Sequence, residues 1–235
     1  MIVNIRLIYK VIIFQFFLYI LKYIYTFMSK TKPDLYNDLH PTKSLKNTGF
    51  KNKEVALRTI DLIKKRSLRY QFDVINTMCN RAKYHPNKTN DMEQAIKIFS
   101  KWLKNYHDIK KKEETLYPWL SLKKINQFVE LATKYKVGEV SRGIKPSTKT
   151  DKGFYQMYKE VENPYKLQYI PVKKNKPDGQ DYWSYRISFI KSRLGQMKKT
   201  NDLLYYDKGK YKGLPTKQHI ILILHGYSPD KNIYI

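Results

Sequence analysis

The sequence predicts a mainly α protein: a helical bundle followed by a smaller α(+β) module with a long helix, a hairpin and a C-terminal helix. Three observations predict it. Apolar residues recur at helical spacing through most of residues 50–200. Residues suited to capping stand where several of those stripes begin. Glycine and proline number only 9 and 10 and gather in a few stretches. A chain of 235 residues makes one medium domain or two small ones, and 42% hydrophobic residues suffice for a packed core.

Residues 1–27 read as a hydrophobic segment. The window 7–27 holds 13 Leu, Ile, Val and Phe residues, interrupted by Lys10, Gln15 and Lys22. It is long enough to cross a bilayer, and its apolar side chains would contribute about −4 to −8 kcal/mol to insertion. The two lysines lie off-centre and can snorkel. Lys30, Lys32, Lys43 and Lys46 after it outnumber Arg6 and Lys10 before it, which predicts a cytosolic body. Phe27-Met28-Ser29-Lys30 is a poor cleavage site for a signal peptide. Two readings stand: a membrane anchor, or translated upstream sequence ahead of a start at Met28.

Residues 28–50 form an irregular lead-in broken by Pro33, Pro41 and Gly49. A bundle is expected over 51–137. Asn52 caps a helix to about residue 66, and a second covers 68–84 with Phe72, Ile75, Cys79 and Ala82 on one stripe before Pro86 stops it. Asn90 and Glu93 have capping-box spacing for a long third helix that ends near Lys110, Lys111 and Lys112. Ser121 caps a fourth, closed by Gly138.

A loop-rich linker over 138–180 holds one short helix at 154–161. The basic C-terminal module, 181–235, opens on Asp181, which caps a helix to about 199 with Trp183, Ile187, Ile190, Leu194 and Met197 inward. Strands at 203–206 and 210–212 are expected to flank a turn at 207–209. The length and leading proline of 215–227 favour a final helix, though its apolar run 220–224 alone could be a strand.

Charge is the strongest compositional signal. Lys and Arg number 46 against 20 Asp and Glu, a formal net of +26. Residues 29–114 carry net +10 and residues 115–235 net +13, so the bias is not confined to a tail. Codon composition explains part of the lysine excess, since only 8 of the cations are arginine. It explains the shortage of acids less well. A chain this basic is drawn to phosphates or acidic membranes.

Catalytic motifs are missing. The single cysteine, Cys79, rules out an intramolecular disulfide and paired-cysteine metal sites, and predicts a reducing compartment. His40, His85, His107, His219 and His225 form no metal-ligand spacing. No G-x-S-x-G elbow and no phosphate loop occurs. His219, His225, Tyr227 and Tyr234 lack the arginine spacing of a tyrosine recombinase. No catalytic residue, metal ligand, cofactor or small-molecule substrate is assigned.

Two clusters could meet a polyanion. Arg186 and Arg193 are expected on one flank of the 181–199 stripe and Lys191 and Lys198 on the other, with Lys199 beside them. No acid follows Asp181 in that helix, so a phosphate backbone is a candidate counter-ion. Lys64, Lys65, Arg66 and Arg69 gather where the first two helices join, and Arg81, Lys83 and Lys88 extend that surface. Tyr84, Tyr155, Tyr158, Tyr182, Tyr185 and Phe189 supply aromatic interleaving of the kind single-strand binding uses. The bland alternative is a set of solvated flanks around buried stripes.

The stretch YQFDVINTMCNRAKYHPNKTNDMEQAIKIFSKWL, residues 70–103, resembles a helical module of uncharacterised proteins from large DNA viruses of algae and amoebae. DYWSYRISFIKSRLGQM at 181–197 and GLPTKQHIILILHGYSPD at 213–230 resemble a second module of that group. The resemblance implies a viral or virus-derived origin and carries no catalytic residues. The function expected is non-enzymatic binding of nucleic acid at low specificity, in host cytoplasm, nucleus or virion. The alternative is a structural or membrane-tethered adaptor whose basic face meets acidic lipid or acidic protein.

Overall fold

Asn52 starts the first helix by accepting a bond from the Val55 N–H, 2.9 Å away. The structure, a computed structural model, describes residues 45–138, 152–161 and 163–235. The hydrophobic segment 1–27 and most of the irregular lead-in lie outside them. Helix α1, Lys53–Ile63, runs through a short turn into α2, Leu68–Lys83, capped by Ser67. The long α3, Asn90–Leu116, is capped by Thr89 rather than Asn90. Thr89 precedes two acids in the first turn, Asp91 and Glu93, which suit the positive end of the helix dipole. These three helices share one core of Ala56, Ile63, Ile75, Cys79, Ala95 and Phe99.

The expected fourth bundle helix breaks in two and packs elsewhere. Ser121 caps α4, Leu122–Asn126, as expected; the chain then tightens at Gln127 and Phe128 before α5, Val129–Lys134. Its left-handed closing residue is Lys136, φ 52°, not Gly138. Leu120, Ile125, Ala132 and Val137 join a second core with Phe154, Leu167, Val172, Tyr182, Ile220 and Leu224. Burying an apolar stripe of so short a helix requires a partner, and the C-terminal elements supply it.

The stretch that reads as linker therefore carries core. Helix α6, Phe154–Glu160, buries Phe154, Tyr155 and Tyr158, and the 3₁₀ turn Pro164–Gln168 buries Leu167. An antiparallel bridge between Pro171 and Asp181 closes the loop that follows. Asp181 then caps α7, Tyr182–Thr200, which ends on left-handed Asn201, φ 50°. Thr216 caps α8, Lys217–Leu224, which is buried over most of its length, and a 3₁₀ turn over Lys231–Tyr234 follows.

The fold is mainly α, and the β part of the expectation is corrected. Among the described residues there is no strand. The 203–212 hairpin is reduced to one bridge, Tyr205 to Pro215, with Tyr206 bonded to Leu214 and Gly213. Gly209 and Gly213 both take positive φ, 76° and 78°, so the chain turns twice and the return segment is 214–216 rather than 210–212.

Candidate nucleic-acid interface

The predicted basic residues divide by burial. Arg186 is fully buried, which corrects its expected place on a solvent-facing flank. Its Nε donates to the His225 carbonyl at 2.9 Å, and Nη2 donates to Pro118 and Gly226 at 2.7 and 2.8 Å. Both Nη atoms reach the Tyr117 carbonyl at 3.3–3.4 Å. The guanidinium also lies 4.2 Å over the Trp119 ring. Carbonyls at the end of α3 and past the end of α8 thus satisfy the cation, and no phosphate is needed. Desolvation lowers its pKa to about 9, opposed by the nearby Tyr234 and Glu113 groups, so it stays charged at neutral pH.

Arg66 is likewise withdrawn from the surface, at 4% exposure. Its Nε donates to Asp181 Oδ2 at 3.2 Å, and its other nitrogens to the Pro177 and Tyr169 carbonyls at 2.8 and 3.1 Å. The guanidinium stacks 3.9 Å over Tyr70. Burial raises the Asp181 carboxyl above its ordinary value, against the pull of the Ser184 and Ser67 N–H groups and of Arg66.

The remaining expected residues face solvent to differing degrees. Lys64 is exposed and paired with Asp61, and Arg69 is exposed and paired with Asp73 at 3.1 Å. Lys65, Lys83, Lys198 and Lys199 are exposed and make no ion pair among the described residues. Lys191 is exposed with its ammonium 5.4 Å over Tyr117. Arg81 is half-buried, as is Arg193, which donates to Gln218 at 3.0 Å.

Most of the expected aromatic interleaving is core. Tyr155, Tyr158 and Tyr182 are buried, and Tyr185 and Phe189 are half-buried, leaving Tyr84 exposed. The fold instead gathers a tyrosine group that sequence reasoning missed. Tyr135, at the end of α5, meets Tyr206 and Tyr211 edge-on at centroid distances of 5.8 and 5.2 Å. Tyr206 and Tyr211 lie 5.9 Å apart. Lys134 and Lys136 flank the first, and Lys208, Lys210 and Lys212 surround the third; all five are exposed. Lys208, Lys210 and Lys212 around Tyr211 are visible in the sequence, but their partner at Tyr135 is not.

Enzyme-like groupings resolve into packing. His219 Nδ1 faces the Leu204 carbonyl at 3.1 Å, and its Nε2 faces Ser228 Oγ at 2.8 Å. With Nδ1 protonated toward the carbonyl, Nε2 accepts from the serine hydroxyl. That pair is buried and fastens the turn after α8 to the helix. His225 stacks 3.7 Å from Phe189 at an 8° interplanar angle. No group of three His, Cys, Asp or Glu among the described residues could hold a metal ion. No described helix is long and apolar enough to cross a membrane.

No protein-family model matches this chain, and no curated protein matches it.

Proposed function

We propose that the protein binds a polyanion, with nucleic acid the best fit, by neutralising phosphate at low sequence specificity. One observation carries the reading: Lys65, Lys83, Lys198 and Lys199 stand exposed without an acidic partner among the described residues in a chain of net charge +26. Such lysines release counterions on binding phosphate, which drives association and makes it salt-dependent. Arg66 and Arg186 are not part of this surface. A viral origin, as the sequence resemblance implies, would fit a role in a virion or a viral factory.

A second reading, a membrane-tethered adaptor, is favoured by the apolar window at 7–27. Titration of a mixed-sequence DNA and RNA panel at ~50 and ~200 mM salt tests the first reading. Affinity should fall by a large factor between the two, as expected for several released counterions. Absence of binding at the lower salt removes nucleic acid as the partner. Membrane fractionation that resists salt extraction would then favour the adaptor.

A further inference from the structure

Two lysine-rich turns, distant in sequence, converge on one aromatic group. Tyr135 sits between Lys134 and Lys136, and Tyr211 between Lys210 and Lys212. Their rings meet at 5.2 Å and 83°. Each of the three tyrosines is half-buried, so part of each residue remains in solvent. Edge-to-face packing holds the rings against one another while leaving ring surface uncovered. The Lys210 ammonium lies 5.8 Å from the Tyr211 centroid, placing positive charge beside an aromatic face. Asp207 is the one acid within residues 206–213.

We infer that this tyrosine–lysine cluster docks single-stranded nucleic acid, with bases stacking on Tyr206 and Tyr211 and the five surrounding lysines holding the backbone. The inference deepens the polyanion reading and rests on it. Stacking accepts any base, because each has a π face, and rigid aromatic rings beside mobile ammonium groups meet both needs of a single strand. A duplex hides its bases in the stack and would use the lysines alone. The Tyr135 hydroxyl adds an independent observation: it is shielded from solvent and has no hydrogen-bond partner among the described residues. Buried polar groups are rarely left so, and a small local shift would offer this donor to a phosphate or base oxygen. An acidic membrane is less well matched, because these rings pack against each other instead of projecting outward to insert.

The test compares full-length wild type, Tyr211→Ala, Tyr211→Phe and Lys208→Glu/Lys210→Glu/Lys212→Glu. Each is titrated with a labelled oligo(dT), a mixed-sequence duplex of equal length, and phosphatidylserine vesicles. Loss of one stacked base should weaken oligo(dT) binding about five- to a hundredfold, while duplex binding by Tyr211→Ala changes less than twofold. Tyr211→Phe should retain wild-type affinity, and the triple reversal should weaken both nucleic acids. Ultraviolet cross-linking of wild type to oligo(dT), mapped by mass spectrometry, reads the site without any variant; adducts on Tyr206 or Tyr211 are expected.

Equal loss on single strand and duplex, or adducts elsewhere only, overturns the docking site while leaving general polyanion binding intact. Wild type that binds neither nucleic acid at low salt overturns both. Vesicle binding that depends on Tyr211, with oligo(dT) binding unaffected, assigns the cluster to a membrane and overturns the inference.

Discussion

Arg66 and Asp181 lie 115 positions apart and form an ion pair in which both side chains are almost fully buried. The Asp181 carboxylate serves two elements at once. Its Oδ1 accepts from Ser184 N at 2.8 Å and caps α7; its Oδ2 accepts from Arg66 and from Ser67 N at 2.7 Å, at the head of α2. The start of α7 is thereby fixed to the junction of α1 and α2. Arg66 adds the Pro177 and Tyr169 carbonyls, so the loop closed by the 171–181 bridge is held at the same point.

Removing one partner of such a pair leaves a buried charge uncompensated. Asp181→Ala should therefore destabilise the fold by about 3–5 kcal/mol, and Arg66→Met by a similar amount. The double variant should cost clearly less than the two together, because neither charge is then stranded. Urea midpoints for the four proteins give the coupling. Additive costs, within about 0.5 kcal/mol, would show that the two residues act independently.

Arg186 should resist replacement even by lysine. Four carbonyls, those of Tyr117, Pro118, His225 and Gly226, take their bonds from one planar fork. A lysine has three donors at a single point and cannot span them. The Gly226 and Pro118 carbonyls keep a second donor in the Leu120 N–H and the Tyr234 hydroxyl, but each buried carbonyl left without one costs about 1–3 kcal/mol, so Arg186→Lys and Arg186→Met should both lower the melting temperature strongly. A charge reversal that includes Arg186 would unfold the protein and would not measure binding. Lys191→Glu with Lys198→Glu and Lys199→Glu is the cleaner variant, and its melting temperature should stay near wild type. A stable Arg186→Met protein would count against the carbonyl cage.

Local chemistry was readable in the sequence, and long-range geometry was not. Asn52, Ser121 and Asp181 cap their helices as their residue types predict, because a capping bond spans three residues. The spacing predicts an α7 stripe with Trp183 and Leu194 inward. In the fold it is rotated toward Tyr182 and Arg186, with Trp183 and Leu194 half-buried. Periodicity treats arginine as a polar residue that belongs outside. It cannot register that two turns, at 117–118 and 225–226, bring four carbonyls to the same place. The Tyr135, Tyr206 and Tyr211 cluster was hidden for the same reason: its members are 71 and 76 positions apart along the chain.

Gly226 is coupled to that cage. Its φ is +74°, which disfavours any side chain, and an added Cβ would lie 3.3 Å from Arg186 Nε. Left-handed backbone alone costs a non-glycine residue about 1–2 kcal/mol. Gly226→Ala should exceed that, because Arg186 cannot move without losing its bond to the Gly226 carbonyl. Thermal unfolding of Gly226→Ala beside Gly213→Ala isolates the effect, since Gly213 shares a positive φ, +78°, and a Cβ there meets nothing within 4 Å. Equal melting temperatures for the two variants would dismiss the coupling.

His219 should make stability depend on pH on the acid side of neutrality. Burial lowers its pKa, opposed by the Leu204 carbonyl and by Asp230. Its unfolded value is about 6.5, so between the folded and unfolded values the unfolded chain binds more protons. Stability then rises with pH through that window and is lost as pH falls below about 6.5. The physical event is protonation of Nε2, which ends its acceptance of the Ser228 hydroxyl and places a buried charge next to the Tyr205 ring. Asp230 titrates in a lower window, because its bond from the Tyr205 hydroxyl depresses it. Burial of Asp181 acts with the opposite sign, so the His219 contribution is read as a difference between two proteins. Melting temperature measured from pH 7.5 to 5 should fall more steeply for wild type than for His219→Gln, which cannot take up the proton. Identical slopes would mean that His219 is protonated as readily folded as unfolded, and that the Ser228 bond does not hold it neutral.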